Sequence, residues 1–552
     1  MGARVVIIGA GLAGLSAALE LAGAGVACVL VSPQQSERAQ SVMAEGGINA
    51  ALDIMGESDS PDEHFQETMA GGVWLADPNA VRGMVDEAPQ LVRDLIALGV
   101  PFQTERGRMI QRNFGGQKKK RTAYAKSSTG KVLVTALVDA VRRYEVAGLV
   151  ERLPHHRLLR LDIQNESLCG QTASDSFCAG AWVHDVYSEE VLHLAGPVIL
   201  ASGGIGGMLG ARNTGTTINT GGVTAIAFSQ GVELANLEFL QYHPTTVPIT
   251  GKRMLISEAA RGEGGRLFTL RDGQPWYFME EKYPELGNLM PRDVVSREET
   301  RVMADPRCCG TVWLDLQGLS RDVWRHRLSD LREEIIHYLS IDPAGEPVPV
   351  EPGMHYCMGG IYVDERHRTS ATGLYAAGEC AAQYHGANRL GGNSLLGAIY
   401  GGRVAARTVL AELDEFAGYE PGEADASIVS AEHPYSGQAG VLLSDNAAEV
   451  AMERVLESSL GILRDRAGIE VGIAALEAID CKGVSEHASM RLDLAQAMLR
   501  SALAREESRG AHTRTDFPER DDERFQRTTV ARLAGGEIHI GFREIPALRC
   551  EA

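Results

Sequence analysis

The stretch that decides the fold stands at the N-terminus and reads Arg4-Val5-Val6-Ile7-Ile8-Gly9-Ala10-Gly11-Leu12-Ala13-Gly14. A short β-branched run passes through three glycines, spaced GxGxxG, into a helical pattern that continues to Gly23. The first glycine permits a tight turn, the second lets a pyrophosphate approach the backbone, and the third lets helix and strand pack closely. Helix N–H groups and the positive end of the helix dipole then face the phosphates. The stretch therefore predicts a strand-turn-helix unit that binds a dinucleotide.

Further runs extend this unit into a parallel sheet. The run Ala27 to Val31 completes a βαβ unit, and the runs Pro197 to Leu200 and Gly373 to Ala377 each lead into a glycine-rich turn. Such turns are expected where the carboxyl ends of parallel strands face one cofactor. Ser32 stands where an acidic residue is expected to hold ribose hydroxyls, and a hydroxyl group makes that bond more weakly. The motif by itself does not distinguish one dinucleotide from another.

The rest of the 552 residues is too long for one compact core. We predict an α/β fold in which a Rossmann-like dinucleotide-binding domain (residues 1–225 and 346–415) carries an inserted α+β capping domain (226–345). Helical periodicity in Ala447 to Leu463 and Ala488 to Arg505 predicts a C-terminal helical domain (416–528). A short mixed tail (529–552) follows.

Composition excludes several partners. The net charge of -20 repels nucleic acid and anionic lipid heads, so an acid-binding site has to concentrate positive charge locally. The nine cysteines show no CxxC spacing, which argues against a metal site or an in-chain iron–sulfur cluster. No segment is long and apolar enough to predict direct membrane insertion. The basic run Lys118-Lys119-Lys120-Arg121 is typical of a solvated face, and steering of acids or docking of a partner are alternatives.

Several further motifs along the chain point to one family. They are Gln40–Ala50, Leu237–Thr245, Ser257–Gly265, Arg292–Arg297, His355–Gly360, His385–Gly391, Ser508–His512 and Asp516–Pro518. In this order, and over nearly the whole chain, they resemble the flavoprotein subunits of succinate dehydrogenase and fumarate reductase, with L-aspartate oxidase as a sister group.

The resemblance implies FAD as the cofactor, so the Rossmann-like unit is expected to be a FAD-binding domain. The family commonly links its flavin to a His at the position of Gln40, and because an amide cannot form that bond, we expect non-covalent FAD. The family's TGDG reads Thr220-Gly221-Gly222-Val223 here, so a carboxylate that helps to fix the cofactor is missing. The expected cofactor-binding residues are Gly9, Gly11, Leu12, Ala13, Gly14, Ser32, Gln40, Ser41, Gly46, Gly47, Glu379, Ser394 and Leu395.

The resemblance also implies a dicarboxylate site. A dicarboxylate needs two separate anion sites, and His243 with Ser257, and His355 with Arg389, match the family's residues for the two carboxylates. Arginine suits this role because its planar fork grips a carboxylate with two hydrogen bonds. Phe114 resembles the family aromatic that closes over the substrate, and an ordinary core position is the alternative.

The chemistry that the resemblance implies is hydride transfer between flavin N5 and one alkene carbon, with Arg292 protonating the other carbon. An arginine acid is unusual, but the developing carbanion is basic enough to take its proton. Glu258 and Arg261 match a family relay that returns a proton to Arg292. A purely structural ion-pair network is the alternative reading of these three residues.

The resemblance implies that the chain interconverts fumarate and succinate. Its electrons are expected to pass through an iron–sulfur subunit and a membrane anchor subunit with quinone, although a thiol-linked or other carrier stays open. We expect a cytoplasmic location at the inner face of the membrane, because the sequence shows neither a signal peptide nor a CxxCH motif. Loss of the covalent link lowers the flavin potential in family members, so we expect a bias toward fumarate reduction. Related unsaturated dicarboxylates stay open as substrates.

Two rival functions follow from the same motifs. L-aspartate oxidase, which converts L-aspartate to iminoaspartate, has similar dicarboxylate motifs and also lacks the covalent His. The segment Phe114-Gly115-Gly116-Gln117 and the ending Asp516-Phe517-Pro518 favour the reductase. A non-catalytic flavin-binding subunit is disfavoured, because the predicted catalytic set is complete.

Overall fold

The computed structural model describes residues 4–126, 128–165, 176–188, 190–216, 218–416, 439–480 and 483–549. Outside these ranges lie Cys169, Cys481, Cys550 and residues 417–438 of the predicted helical domain.

Helices occur throughout the described residues. In chain order the α-helices are α1 (Leu12–Gly23), α2 (Pro61–Gly71), α3 (Pro78–Ala97), α4 (Thr129–Val146), α5 (Gly222–Ser229), α6 (Ala259–Gly262), α7 (Phe278–Lys282), α8 (Arg292–Ala304), α9 (Arg321–His326), α10 (Ser329–Leu339), α11 (Asn393–Glu412), α12 (Ala439–Ser459), α13 (Arg466–Glu477), α14 (Glu486–Ala504) and α15 (Asp522–Phe525). Short 3-10 helices span Ser36–Arg38, Gln40–Met43, Gly206–Arg212, Gly287–Leu289, Gly378–Cys380 and Leu413–Phe416.

The strands form several separate sheets. In chain order they are β1 (Val5–Ile8), β2 (Cys28–Ser32), β3 (Ile48–Asn49), β4 (Thr104–Glu105), β5 (Arg108–Met109), β6 (Gln111–Arg112), β7 (Thr122–Ala123), β8 (Val150–Pro154), β9 (His156–Asn165), β10 (Ser176–Asp185), β11 (Val191–Ala195), β12 (Val198–Leu200), β13 (Leu234–Ala235), β14 (Leu240–Ile249), β15 (Lys252–Leu255), β16 (Arg266–Arg271), β17 (Gln274–Trp276), β18 (Val312–Asp315), β19 (Val348–Cys357), β20 (Gly360–Tyr362), β21 (Leu374–Ala376), β22 (Ala381–Ala382), β23 (Leu463–Arg464), β24 (Thr513–Arg514), β25 (Arg527–Ala534) and β26 (Glu537–Glu544).

A five-stranded parallel sheet is the centre of the fold. Its strand order is β21-β12-β1-β2-β8, and every neighbouring pair runs parallel. Alternate residues of β1 enter two different cores: Val5 and Ile7 pack with α1, α3 and α11, whereas Val6 and Ile8 pack toward β9–β11 and α5. Both faces are therefore buried, as parallel sheets require. The predicted Rossmann-like α/β fold is confirmed.

A second, antiparallel sheet is built mostly from the segment predicted as the cap, but its strand β19 lies beyond the predicted limit at residue 345. Its order is β15-β14-β19-β18-β16-β17, and it encloses a core of its own between Val247 and Val350. The segment from α5 to β13, which precedes this antiparallel sheet, packs instead in the core of the parallel sheet. This separate core supports an inserted capping domain, whose limits at residues 226 and 345 remain a prediction.

The C-terminal part of the chain returns to the parallel-sheet core. Helices α12, α13 and α14 contribute Met452, Ile469 and Leu494 to that core, as the helical periodicity indicates. The tail forms a hairpin, β25–β26, which pairs with β13 in the sheet β22-β20-β13-β25-β26. Within the described residues no helix has both the length and the apolar character needed to cross a membrane.

Candidate active site

One large cavity, of about 790 Å³, opens where the parallel strands end. The residues that follow β1, β2, β12 and β21 all line it, so the carboxyl ends of four strands face the same space. Ligands of open α/β sheets bind in such a crevice. The cavity continues from this edge to the cap, where residues of β14, β15 and α8 form its far wall.

The glycines of the N-terminal motif shape the first part of the cavity. Gly9 has φ +120°, and a Cβ on it would lie 2.1 Å from the backbone oxygen of Ala201. A Cβ on Gly14 would lie 1.9 Å from the oxygen of Gly9, so α1 can approach β1 only with glycine at this position. Gly11 has no side chain to cap α1, and the first N–H of the helix, that of Leu12, donates to the hydroxyl of Ser41 at 3.4 Å. This is a cradle that fits the phosphates of a dinucleotide.

A second loop forms the opposite wall of the cradle. Gln40 and Ser41 line the cavity, and the Gln40 side-chain oxygen accepts a hydrogen bond of 2.5 Å from the backbone N–H of Thr216. Gly46 and Gly47 follow in the same wall, and Gly47 has φ +134° with Ala123 O only 2.5 Å from the position of a Cβ. A Cβ on Gly46 would lie 3.2 Å from the Phe114 ring, so neighbouring protein atoms leave little room for a side chain on either glycine and this part of the wall is bare backbone.

The predicted acidic contact, Glu379, is half-buried in the wall of the cavity. Burial raises the pKa of this carboxyl to about 7, and it accepts a hydrogen bond of 3.2 Å from the backbone N–H of Cys357. A Cβ on Gly204 would lie 2.3 Å from the carboxylate oxygen, so a bare backbone passes over it. Ser394 and Leu395, in the first turn of α11, line the same region.

Arg292 occupies the cap side of the cavity and is held by two partners. Its Nε and one terminal nitrogen donate to the same oxygen of Glu258, at 3.0 and 2.6 Å, and its other terminal nitrogen donates to Gln241 at 3.1 Å. The second oxygen of Glu258 accepts from Arg261 at 3.0 Å. The three charged side chains are all buried, so a continuous Arg–Glu–Arg chain crosses the protein interior.

The two arginines keep the carboxylate of Glu258 ionised. Burial alone would raise the pKa of Glu258, but Arg292 and Arg261 hold it below its ordinary value. Glycines allow the close packing around this carboxylate, because a Cβ on Gly115 or Gly391 would lie 2.5 or 3.0 Å from one of its oxygens. The carboxylate is therefore ionised and tightly enclosed.

The part of the cavity beside Arg292, called the chamber below, is also lined by two imidazoles and a third guanidinium. The rings of His243 and His355 meet edge to face with centroids 5.3 Å apart, and His355 Nδ1 lies 2.8 Å from the hydroxyl of Thr214. Burial, and then the nearby arginines, lower the pKa of both imidazoles well below the ordinary value. The guanidinium of Arg389 stacks on the ring of Tyr356 at 4.4 Å, and its Nε has no hydrogen-bond partner among the described residues.

The charge of the chamber suits a doubly negative ligand. Burial, together with Arg292, lowers the pKa of Arg389 to about 9, which leaves it protonated at neutral pH. Three guanidinium groups and one carboxylate then leave two positive charges, while both imidazoles are neutral donors or acceptors. Ser257, buried beside Glu258, adds a hydroxyl group to the chamber.

Phe114 separates the ring-binding wall from the charged chamber. Its side chain is buried, and a Cβ on Gly46 would lie 3.2 Å from the tip of its ring, whereas one on Gly391 would lie 3.1 Å from its base. Phe114 therefore lines the cavity, and its role over the substrate stays a prediction.

The structure brings the predicted site residues together. All of them line the cavity except Gly14, which packs on Gly9, and Arg261, which reaches it through Glu258. Gln241 and Thr214 had no predicted role, although Gln241 stands in a recognised motif and holds Arg292 directly. His487 of α14 also lines the cavity, and no motif marks it. Among the described residues no group of His, Cys, Asp or Glu is placed to hold a metal ion.

The basic run has a different role from the predicted solvated face. Arg121 is completely buried and pairs with Asp59 at 2.8 Å and with Glu67 at 3.0 Å. Lys120 pairs with Glu57 at 3.1 Å. The prediction is wrong for Arg121, because a charged side chain in the interior is tolerated when two carboxylates compensate its charge.

A Rossmann-like fold, a glycine cradle that fits phosphates and a buried cationic chamber together indicate a dinucleotide-binding protein with a second site suited to an anion. A family model described as an FAD binding domain matches residues 4–395, and one described as the fumarate reductase flavoprotein C-terminus matches residues 483–549. The cofactor is therefore FAD, for which the cradle, the glycine wall and the first turn of α11 are suited.

Known proteins identify the family. The chain is 36% identical to the succinate dehydrogenase flavoprotein subunit of Bacillus subtilis (strain 168), over 96% of this chain and 93% of that protein. It is 35% identical to the L-aspartate oxidase of Streptomyces coelicolor, over 96% and 91%. The structure of E. coli quinol fumarate reductase superposes with a TM-score of 0.86 at 29% identity, covering 100% of this chain and 98% of the other. The chain belongs to the succinate dehydrogenase and fumarate reductase flavoprotein subunit family, and it is an FAD-dependent oxidoreductase.

Proposed function

We propose that the chain is the catalytic flavoprotein subunit of a fumarate reductase that also oxidises succinate. The observation that carries the proposal is the position of Arg292, which two hydrogen bonds to Glu258 and one to Gln241 fix inside a chamber with two excess positive charges. Fumarate and succinate are small dianions of matching charge. The net charge of the whole chain is -20, which makes this local positive field unusual in the molecule.

The two carboxylates of the substrate have separate binding groups. We assign one to His243 and Ser257, which come from the cap strand β14 and the turn after β15. We assign the other to His355 and Arg389, whose unpartnered Nε is available for a charge-assisted hydrogen bond. Neutral imidazoles can donate hydrogen bonds without adding to the repulsion among the arginines. Phe114 packs beside the bound substrate and keeps it from water.

When bound, FAD supplies hydride chemistry at its isoalloxazine ring. The residues of the chain supply the proton: Arg292 donates it to the second alkene carbon, because the developing carbanion is a stronger base than the guanidine. Glu258 is ionised at rest, so it first takes a proton from Arg261, 3.0 Å away on one oxygen, and then gives a proton to the deprotonated Arg292, 2.6 Å away on the other oxygen. Solvent returns a proton to Arg261. The Arg–Glu–Arg chain therefore supports the predicted proton relay.

Gln40 supports non-covalent attachment of FAD. Its side-chain amide lies in the cavity wall and accepts a hydrogen bond from Thr216, and an amide offers no nucleophilic nitrogen for a bond to flavin. A flavin without this link is a weaker oxidant in the family, so we propose that fumarate reduction is the favoured direction.

Electrons have to arrive from outside the chain. We propose an iron–sulfur subunit and a membrane anchor subunit with quinone as the source, which place the chain at the inner face of the cytoplasmic membrane. The E. coli relative of similar structure is a quinol fumarate reductase. A thiol-linked carrier is the alternative source of electrons.

L-aspartate oxidase is the second candidate function. The 35% identity to the Streptomyces coelicolor oxidase is almost equal to the 36% identity to the Bacillus subtilis succinate dehydrogenase subunit. The segment Phe114-Gly115-Gly116-Gln117 favours the reductase. In the structure Gln117 donates hydrogen bonds to the side chain of Asn49 at 3.0 Å and to the backbone oxygen of Gly391 at 2.7 Å. It thereby fixes the loop that carries Arg389.

Assays of the purified FAD-loaded protein, anaerobic for fumarate and succinate and aerobic for L-aspartate, test both candidates. We expect fumarate reduction by reduced viologen to be faster than dye-linked oxidation of succinate, and we expect no peroxide when L-aspartate is added in air. Faster succinate oxidation would contradict the proposed direction. Rapid peroxide release with L-aspartate, together with slow fumarate reduction, would replace the reductase by the oxidase.

A further inference from the structure

His487 connects the helical part of the chain to the cofactor cavity. It is the second residue of α14, whose first turn is capped by Ser485 through a 3.2 Å hydrogen bond to the N–H of Ala488. Among the described residues of 439–480 and 483–549, His487 is the one that lines the cavity. The remaining lining residues come from the sheet, the cap and the segments between them.

The imidazole lies where a side chain of residue 222 would be. A Cβ on Gly222 would come 2.6 Å from His487 Cε1 and 2.9 Å from its Nε2, which is closer than van der Waals contact allows. The resembling family carries a carboxylate at this point of its TGDG motif, whereas the chain has no side chain there. A side chain at position 222 and the present position of the His487 imidazole therefore exclude one another.

Helix α14 also contacts the turn at residues 220–222 through Arg491. Arg491, one helical turn after His487, donates from Nε to the backbone oxygen of Thr220 at 3.0 Å. Gly221 takes φ +75°, and a Cβ there would lie 3.2 Å from Leu494 of α14. Contacts at residues 220, 221 and 222 thus fit α14 against the turn that precedes α5.

The environment decides the charge of the imidazole. Burial, followed by the positive charges of Arg491 and Arg157, lowers the pKa of His487 to about 4, against a smaller opposing effect of Asp445. At neutral pH the ring is uncharged and carries one N–H donor. A carboxylate in this place would instead bring a negative charge and acceptors only.

We propose that His487 is a cofactor-binding residue that replaces the missing residue-222 side chain and donates a hydrogen bond to an acceptor oxygen of bound FAD. The inference rests on FAD binding and is independent of the proposed substrate and direction. It gives the helical part of the chain a direct role in holding a cofactor that is not covalently linked.

The affinity of the apoprotein for FAD tests this role. FAD is removed, and its dissociation constant is measured by quenching of flavin fluorescence for the wild type and for His487→Ala, His487→Gln and the exposed control His539→Ala. Loss of one neutral hydrogen bond predicts roughly tenfold weaker binding for His487→Ala. His487→Gln keeps an N–H donor and should recover most of the affinity, and the control should bind as the wild type does.

A pair of further variants tests the mutual exclusion. Gly222→Asp should weaken FAD binding more than His487→Ala does, because the new side chain collides with the imidazole. Gly222→Asp combined with His487→Ala should bind FAD better than Gly222→Asp alone. The thermal stability of the apoprotein should change little with His487→Ala, whereas that of the FAD-loaded protein should fall. Unchanged FAD affinity in His487→Ala, or an equal loss of stability with and without FAD, overturns the proposal.

Discussion

Arg292 is the residue on which the proposed proton transfer depends. General-acid groups contribute roughly 10²- to 10⁴-fold to rate, so Arg292→Ala should lower kcat for fumarate reduction by about that factor. The cradle is remote from this side chain, so the FAD content should stay the same. Viologen-linked rates and the flavin absorbance of the purified variant are the measurements.

Arg301 provides the matched control for this variant. It lies on the same helix, α8, but is half exposed and pairs with Glu298 at 2.8 Å, away from the chamber. Arg301→Ala should keep kcat within about twofold, as expected of a surface ion pair. If both variants lose activity equally, the effect belongs to the helix and not to the proton donor.

Glu299 is a buried acid outside the proposed chemistry. Both of its carboxyl oxygens lack a hydrogen-bond partner among the described residues, and burial raises its pKa well above the ordinary value, against the opposing charge of Arg261. Above pH 4.5 the unfolded chain releases this proton while the folded protein keeps it. The folded state therefore loses stability as the pH rises, by up to about 1.4 kcal/mol per pH unit.

Glu299→Gln removes this penalty while keeping the shape of the side chain. The free energy of unfolding of the variant, minus that of the wild type, should increase between pH 5 and pH 8. The increase should be on the order of 1 kcal/mol per pH unit. Urea unfolding at several pH values measures the difference. The exposed substitution Glu333→Gln is the control, and a difference that is flat with pH for Glu299→Gln would show that its carboxyl ionises in the folded protein.

At the scale of elements, the contact of α1 with β1 depends on Gly14. The missing Cβ would lie 1.9 Å from a backbone oxygen, which cannot rotate away, so Gly14→Ala forces the whole helix outward. We expect at least a tenfold loss of FAD affinity and about 1–3 kcal/mol of stability. Gly23→Ala, at the other end of α1, meets only Tyr144 at 3.7 Å and should change neither quantity measurably. Equal effects of both substitutions would contradict the proposed role of the cradle.

Elements with strong local signals could be predicted from the sequence. The periodicity of α1 and the β-branched runs of β1 and β2 gave bounds within one residue of those in the structure. The hairpin β25–β26 was missed, although Gly535-Gly536 separates two strand-like runs and Ile538, Ile540 and Phe542 alternate with polar or small residues. Its place in the fold depends on pairing with β13, about 300 residues earlier, and the local pattern does not specify that partner.

The same distinction applies to the site. Arg292, Glu258 and Arg389 stand in motifs and were predicted, whereas His487 contributes through a contact with Gly222 that spans 265 positions. The only signal in the sequence was indirect: a glycine in place of a carboxylate leaves space that another side chain has to fill. Which side chain fills it follows only from the packing of α14 on α5.

At the scale of the whole molecule, the cavity joins parts of the chain with separate cores. Its walls come from the parallel sheet, from the cap through β14 and β15, and from α14 through His487. A ligand that contacts all of these parts binds only when they are folded and correctly placed. FAD should therefore stabilise the whole protein and not just the Rossmann-like unit.

If FAD is held without a covalent bond, this stabilisation depends on its free concentration. Each tenfold increase of FAD above the dissociation constant should add about 1.4 kcal/mol to the free energy of unfolding, and the Tm should rise accordingly. Thermal scans at increasing FAD measure the effect, and riboflavin, which lacks the phosphates that the glycine cradle fits, is the control. Acid precipitation should release all of the flavin into the supernatant, because Gln40 offers no bonding nitrogen. A Tm that is independent of added FAD, with flavin retained in the precipitate, would show a covalent link made by some other residue.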